Sequence, residues 1–173
     1  MKKLLLLGAF AFFGSAAHAQ EGLKLGGHLG APVGDASKYS SFTFGVDGAY
    51  MWNIAKNFDL GVATGYSHFV GKDYDFKGDR YKSDDFGFIP IAVAGKYRFA
   101  KAPIFVALDL GYAVSVKDGV DGGLYAQPKF GYQMPKLELY VGYQTIGSRR
   151  DFDRERIENN FGAINFGVNF FLK

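Results

Sequence analysis

The side chains able to do covalent or acid–base chemistry are few. The 173-residue chain has no cysteine and three histidines, of which His28 and His68 lie beyond the first twenty positions. Without cysteine there is no thiol nucleophile, no disulfide and no thiolate zinc site. Ser67 adjoins His68, but neighbours along a strand face opposite sides, so the two cannot act as nucleophile and base without a bulge. His28 could pair with Asp47 or Asp109 in an enclosed interior, and each lone histidine is more often structural than catalytic. No two histidines stand at metal-ligand spacing with a third ligand, and no phosphate loop, zinc motif or nucleophile elbow occurs. The expectation is a protein that is not an enzyme, with no catalytic residue, no metal and no cofactor.

These residues sit in segments whose polarity alternates with period two, broken by clusters of Gly, Asp, Asn and Lys. The spacing predicts eight strands: Leu23 to Val33, Ser41 to Trp52, Phe58 to Val70, Phe86 to Phe99, Ile104 to Val116, Gly123 to Gln133, Leu137 to Ile146 and Asn160 to Leu172. The connections alternate in length. Asn53 to Asn57, Ala100 to Pro103 and Met134 to Lys136 are short, whereas Gly34 to Ser40, Gly71 to Asp85, Lys117 to Gly122 and Gly147 to Asn159 are mostly longer and more polar. Short turns on one side and longer loops on the other are the plan of membrane barrels.

The two faces of each strand separate a membrane barrel from a soluble one. In the fifth strand Ile104, Val106, Leu108, Leu110, Tyr112 and Val114 oppose Phe105, Ala107, Asp109, Gly111, Ala113 and Ser115. The second face is mostly small, unlike a solvated surface, and suits the cramped interior of an eight-stranded barrel whose large apolar face meets lipid. Charges on that small face are Lys24, Asp47, Asp59, Lys96, Arg98, Asp109, Lys129 and Glu138, four of each sign. They are expected to form a lumen charge network. Trp52, Phe58, Tyr97, Phe99, Tyr132 and Phe170 would make one aromatic girdle, and Phe42, Phe44, Tyr66, Phe69 and Phe86 the other. Pro32, Pro90 and Pro128 each remove a ladder donor, which predicts bulges there.

Residues 1–19 read as a signal peptide: Lys2 and Lys3, an apolar run from Leu4 to Phe13, then Ala17-His18-Ala19. The expected domain is 20–173, with 18 basic and 17 acidic side chains, a balance that offers nucleic acid no basic face. Signal peptide, strand count, loop alternation and the closing segment Phe161-Gly162-Ala163-Ile164-Asn165-Phe166-Gly167-Val168-Asn169-Phe170-Phe171 together resemble the small eight-stranded outer-membrane barrels of the outer-membrane protein X and outer-membrane protein A transmembrane type. The resemblance implies an all-β, eight-stranded antiparallel up-and-down transmembrane β-barrel in the bacterial outer membrane, in contact with its lipid and lipopolysaccharide. The function expected is structural or surface-interacting, with a narrow channel for small solutes or ions and a lipid-modifying enzyme as the alternatives. A surface partner would meet Tyr74, Phe76 and Tyr81 in one loop and Arg149, Arg150 and Phe152 in another, since exposed aromatics among charges favour recognition. Self-association is left open.

Overall fold

The computed structural model describes residues 22–76, 79–82, 84–117, 121–152 and 155–172, and of these it describes the backbone alone for 73–76, 79–82, 148–152 and 155–159. The elements are β1 (Gly22–Gly34), the one-turn α1 (Ala36–Tyr39), β2 (Ser40–Ala55), β3 (Phe58–Gly71), β4 (Asp73–Phe76), β5 (Asp79–Lys82), β6 (Phe86–Arg98), β7 (Ile104–Ser115), β8 (Gly123–Gln133), β9 (Leu137–Phe152) and β10 (Glu155–Leu172). Eight of the strands close in the order β1-β10-β9-β8-β7-β6-β3-β2, all antiparallel, with β1 bonded to both β2 and β10. Closure leaves no open edge within the wall, the condition for a strand protein to cross hydrocarbon. The fold is an eight-stranded up-and-down transmembrane β-barrel.

Two strand pairs run past the expected limits. The Gly71 to Asp85 connection carries a small hairpin, β4 with β5, and the Gly147 to Asn159 connection continues the β9–β10 ladder out to Phe152↔Glu155. Above Ser148 and Asn160 no third strand pairs with this ladder among the described residues, because β8 stops at Gly123↔Ser148 and β1 at Gly34↔Phe161.

The alternation sorts the wall as its residue types require. Leu25, Val46, Ile91, Val93, Leu110, Leu124 and Phe166 stand outward and exposed, so that the surface between the two rims is apolar. A soluble monomer would not carry such a belt, whereas lipid removes it from water. At the short-turn rim Trp52, Phe58, Tyr97, Phe99, Tyr132 and Phe170 face outward. At the other rim Phe42 and Phe44 do so, but Phe69 and Phe86 do not: they share parity with Ser67 and Phe88 and point into the barrel, fully or nearly buried. That corrects the expected girdle.

The prolines do not make bulges. The register shifts on β2–β3 lie at Ser40/Phe42 and Asn53/Ala55. At Pro90 the β3–β6 ladder lapses between Thr64↔Ile91 and Ser67↔Phe88, and at Pro128 the β8–β9 ladder lapses between Ala126↔Thr145 and Lys129↔Gly142, both without change of register. Pro32 lies past the last β1–β2 pair, Gly30↔Thr43, where no donor toward β2 is needed.

Candidate functional site

The lumen is filled in layers. At the long-loop end Phe69, Phe86, Phe88 and Ile146 form an apolar cluster with Ala36 of α1, and Phe161 packs against it. Phe69 and Phe86 stack at 4.9 Å, with Phe88 edge-on at about 6 Å to both. Aromatic rings in these geometries pack densely.

Beneath this cluster the side chains turn polar. Asn165 Nδ2 donates to Gln144 Oε1 at 2.9 Å, and Ser67 Oγ stands 3.3 Å from the same oxygen and 3.3 Å from His28 Nε2. His28 Nδ1 reaches both carboxylate oxygens of Asp47, at 3.0 and 3.1 Å, and Tyr140 Oη donates to Asp47 at 2.7 Å. Room for these rings is made by glycine. A Cβ at Gly167 would lie 2.2 Å from Tyr140 Cζ, closer than any real contact.

Toward the short turns come the charge pairs. Lys129 Nζ donates to Asp109 at 2.5 Å and lies 5.0 Å above the Tyr140 ring. Glu138 accepts from Lys24 at 3.1 Å, Lys96 at 2.5 Å and Asn169 at 3.1 Å, while Lys96 also donates to Gln133 and sits 4.2 Å over Phe105. Arg98 and Asp59 pair at 2.9 Å nearest the rim. The structure thus brings together the eight charges singled out from the sequence. Seven are joined in Lys or Arg to Asp or Glu pairs, and the eighth, Asp47, is joined to His28. Two charges taken from water repay that cost only when paired and hydrogen-bonded, as these are.

The pairing of Ser67 with His28 is not visible in the sequence. The sequence neighbour of Ser67, His68, faces the other side as the alternation requires and bonds Tyr66 at 2.8 Å and Asp85 at 3.3 Å. The signal that could have found it is register: His28, Gly45 and Ser67 form one row across β1, β2 and β3.

Above the rim, Asp35 takes a hydrogen bond from Lys38 at 2.9 Å and one from the Asn160 amide at 3.4 Å. The Lys38 bond, then the Asn160 amide, hold the Asp35 carboxyl below its usual range. The backbone of Tyr74 pairs with Tyr81, and Arg149, Arg150 and Phe152 lie on the extended β9. The side chains of these residues, and of Phe76, lie outside the described residues.

No family model and no curated protein matches the chain. Among solved structures, a designed transmembrane β-barrel matches over 87% of this chain and 95% of its own at 13% identity and a TM-score of 0.52. A second designed barrel, solved by NMR in solution, matches over 90% and 98% at 11% identity and a TM-score of 0.54. Neisserial surface protein A matches over 88% and 97% at 16% identity and a TM-score of 0.49. At these identities the likeness is one of fold.

Proposed function

We propose that this chain is an integral outer-membrane barrel that conducts no solute and acts from the membrane surface, in a structural or surface-interacting role without an enzymatic step. One observation carries the reading: the lumen is occupied along its length, by stacked phenylalanines at one end and by paired charges at the other. A solute path would need mobile charges lining open space. The enclosed gap between Lys24, Asp47, Asp109 and Lys129 measures about 20 Å³, room for a single water.

With the lumen closed, the parts that can meet other molecules are the outer belt and the loops. The belt supports contact with outer-membrane lipid, and the mixed charges of 71–85 and 147–159 support contact with lipopolysaccharide headgroups and a surface partner. Reconstituted in planar bilayers, the purified protein is expected to give no stable single-channel steps. Reproducible steps that change on Arg98→Ala or Asp109→Ala would replace this reading with a narrow channel.

A further inference from the structure

The two ends of the barrel differ in charge. Each of the longer connections carries both signs, whereas each of the short ones carries one lysine and no acid: Lys56, Lys101 and Lys136. All three lysines are exposed, and none is paired with an acid among the described residues. Among those residues the acids of that end, Asp59 and Glu138, point into the lumen and are held there by Arg98 and by Lys24 with Lys96. The short-turn rim therefore presents cations alone to its surroundings, at the level where lipid headgroups meet the barrel.

Two of these cations flank a groove in the outer wall. The turn of Lys101 leads into β7 and that of Lys136 leads out of β8, and the Gln133 amide donates to the Pro103 carbonyl at 2.7 Å, which ties the two turns together. Between them Ile104 pairs with Tyr132, and from this pair an apolar groove of about 730 Å³ crosses β9, β10 and β1 to reach Phe44 on β2. Its sides are two neighbouring rows of outward side chains, one through Leu139 and Val168 and the other through Phe166 and Leu29. Its floor is the row between them, where Gly131, Gly167 and Gly45 have no side chain and His28 and Tyr140 turn theirs inward. Five strand spacings of about 4.8 Å give the groove a length of about 24 Å. It starts at the first residue of β7 and ends near the long-loop end of β2, so it rises obliquely through the hydrocarbon.

The rows stand two residues apart along the strands, about 7 Å, which admits one polymethylene chain and is too narrow for a helix of about 10 Å. A cation pair at the lower mouth of such a groove matches a lipid with an anionic headgroup. Tyr132, whose hydroxyl has no partner among the described residues, stands at the same mouth, where the ester of that lipid would lie.

We propose that the groove holds one acyl chain of an anionic phospholipid from the leaflet around the short turns, with the phosphate between Lys101 and Lys136. The site rests on the reading of this chain as an integral barrel that acts at the membrane surface, and it names one lipid partner of that surface. In a zwitterionic phospholipid the headgroup cation offsets the phosphate, so the lysine pair selects phosphatidylglycerol over phosphatidylcholine.

For the test, the purified folded barrel in neutral detergent micelles is given equal amounts of these two lipids with the same acyl chains, and native mass spectrometry reads the lipid retained. Phosphatidylglycerol is expected to be preferred, with about fivefold lost for each of Lys101→Gln and Lys136→Gln. Lys56→Gln, whose turn is separated from the groove by β6, is expected to keep the preference. Val168→Trp, which fills the groove and leaves the lysines in place, should lower retention; if it gives no heat-shifted gel band, Leu139→Trp takes its place. Glycerophosphoglycerol, the same headgroup without chains, should not displace the lipid. Equal retention of the two lipids, or a preference that survives the Lys101→Gln/Lys136→Gln double variant, overturns the site. Unchanged retention with the groove filled, or displacement by glycerophosphoglycerol, overturns the seating of the acyl chain. A parent without a heat-shifted band overturns the barrel reading and the site together, whereas a shifted band without lipid preference overturns the site alone.

Discussion

Glu138 shows how tightly single residues are tied in this lumen. It accepts from two lysines and an asparagine while only 3% exposed. Glu138→Gln would leave Lys24 and Lys96 buried together without their anion, which costs about 3–5 kcal/mol when a buried pair loses one partner. The temperature at which the gel band shifts should fall accordingly, and Lys24→Met, which leaves the Lys96–Glu138 pair intact, should lower it less. A drop as large for Lys24→Met would mean that the pairs do not act as described. Alternation in the sequence is enough to sort Lys24 and Glu138 onto one face. It cannot say that they touch, since they are 114 positions apart and meet only once the barrel has closed. Ser67 and His28, 39 positions apart, are hidden for the same reason. Composition misleads where it replaces parity: aromatic type suggests the rim for Phe69 and Phe86, yet period-two counting from Ser67 and Phe88 puts them inside.

At the scale of the element, the strands were legible because each crosses an apolar medium and must alternate. Beyond the membrane that constraint ends. The upper β9–β10 ladder is carried by backbone bonds between charged residues such as Asp151 and Arg156, or Arg149 and Glu158, and no apolar period announces it. Because among the described residues only its own partner strand pairs with it, removing 149–158 and replacing 72–84 with short Gly/Ser turns should leave the heat-shifted band in place. The same change is expected to abolish binding to host or neighbouring cells, measured by adhesion of cells carrying it; unchanged adhesion would remove the surface-contact reading. The proline lapses give a second expectation. Successive N–H groups on a strand point to opposite neighbours, so one of Gly65 and Tyr66 faces the lapse toward β6, and amide exchange at one of the two should be faster than at Ala63 and His68. Uniform protection along β3 would mean that the ladder does not lapse there.

For the molecule as a whole, a closed wall and a filled bore divide the work between lipid and lumen. Stability comes from the belt's transfer into hydrocarbon, from the ladders, and from the buried aromatic cluster. Phe88 is fully buried and touches Phe69, Phe86 and Phe161, so Phe88→Ala should cost about 3–5 kcal/mol by transfer and cavity terms together. Urea unfolding in vesicles would read this, and a loss below about 1 kcal/mol would mean that the cluster collapses without penalty.

The pairing of β1 with β10 joins the first described strand to the last, Leu23 against Leu172. A piece of the chain lacking β10 cannot make that seam, so the wall stays open without it. Until the seam is made every outward leucine and phenylalanine is unprotected and every strand edge is open to aggregation. The Lys24–Glu138 bond, which joins β1 to β9 across β10, therefore exists only once that seam is made.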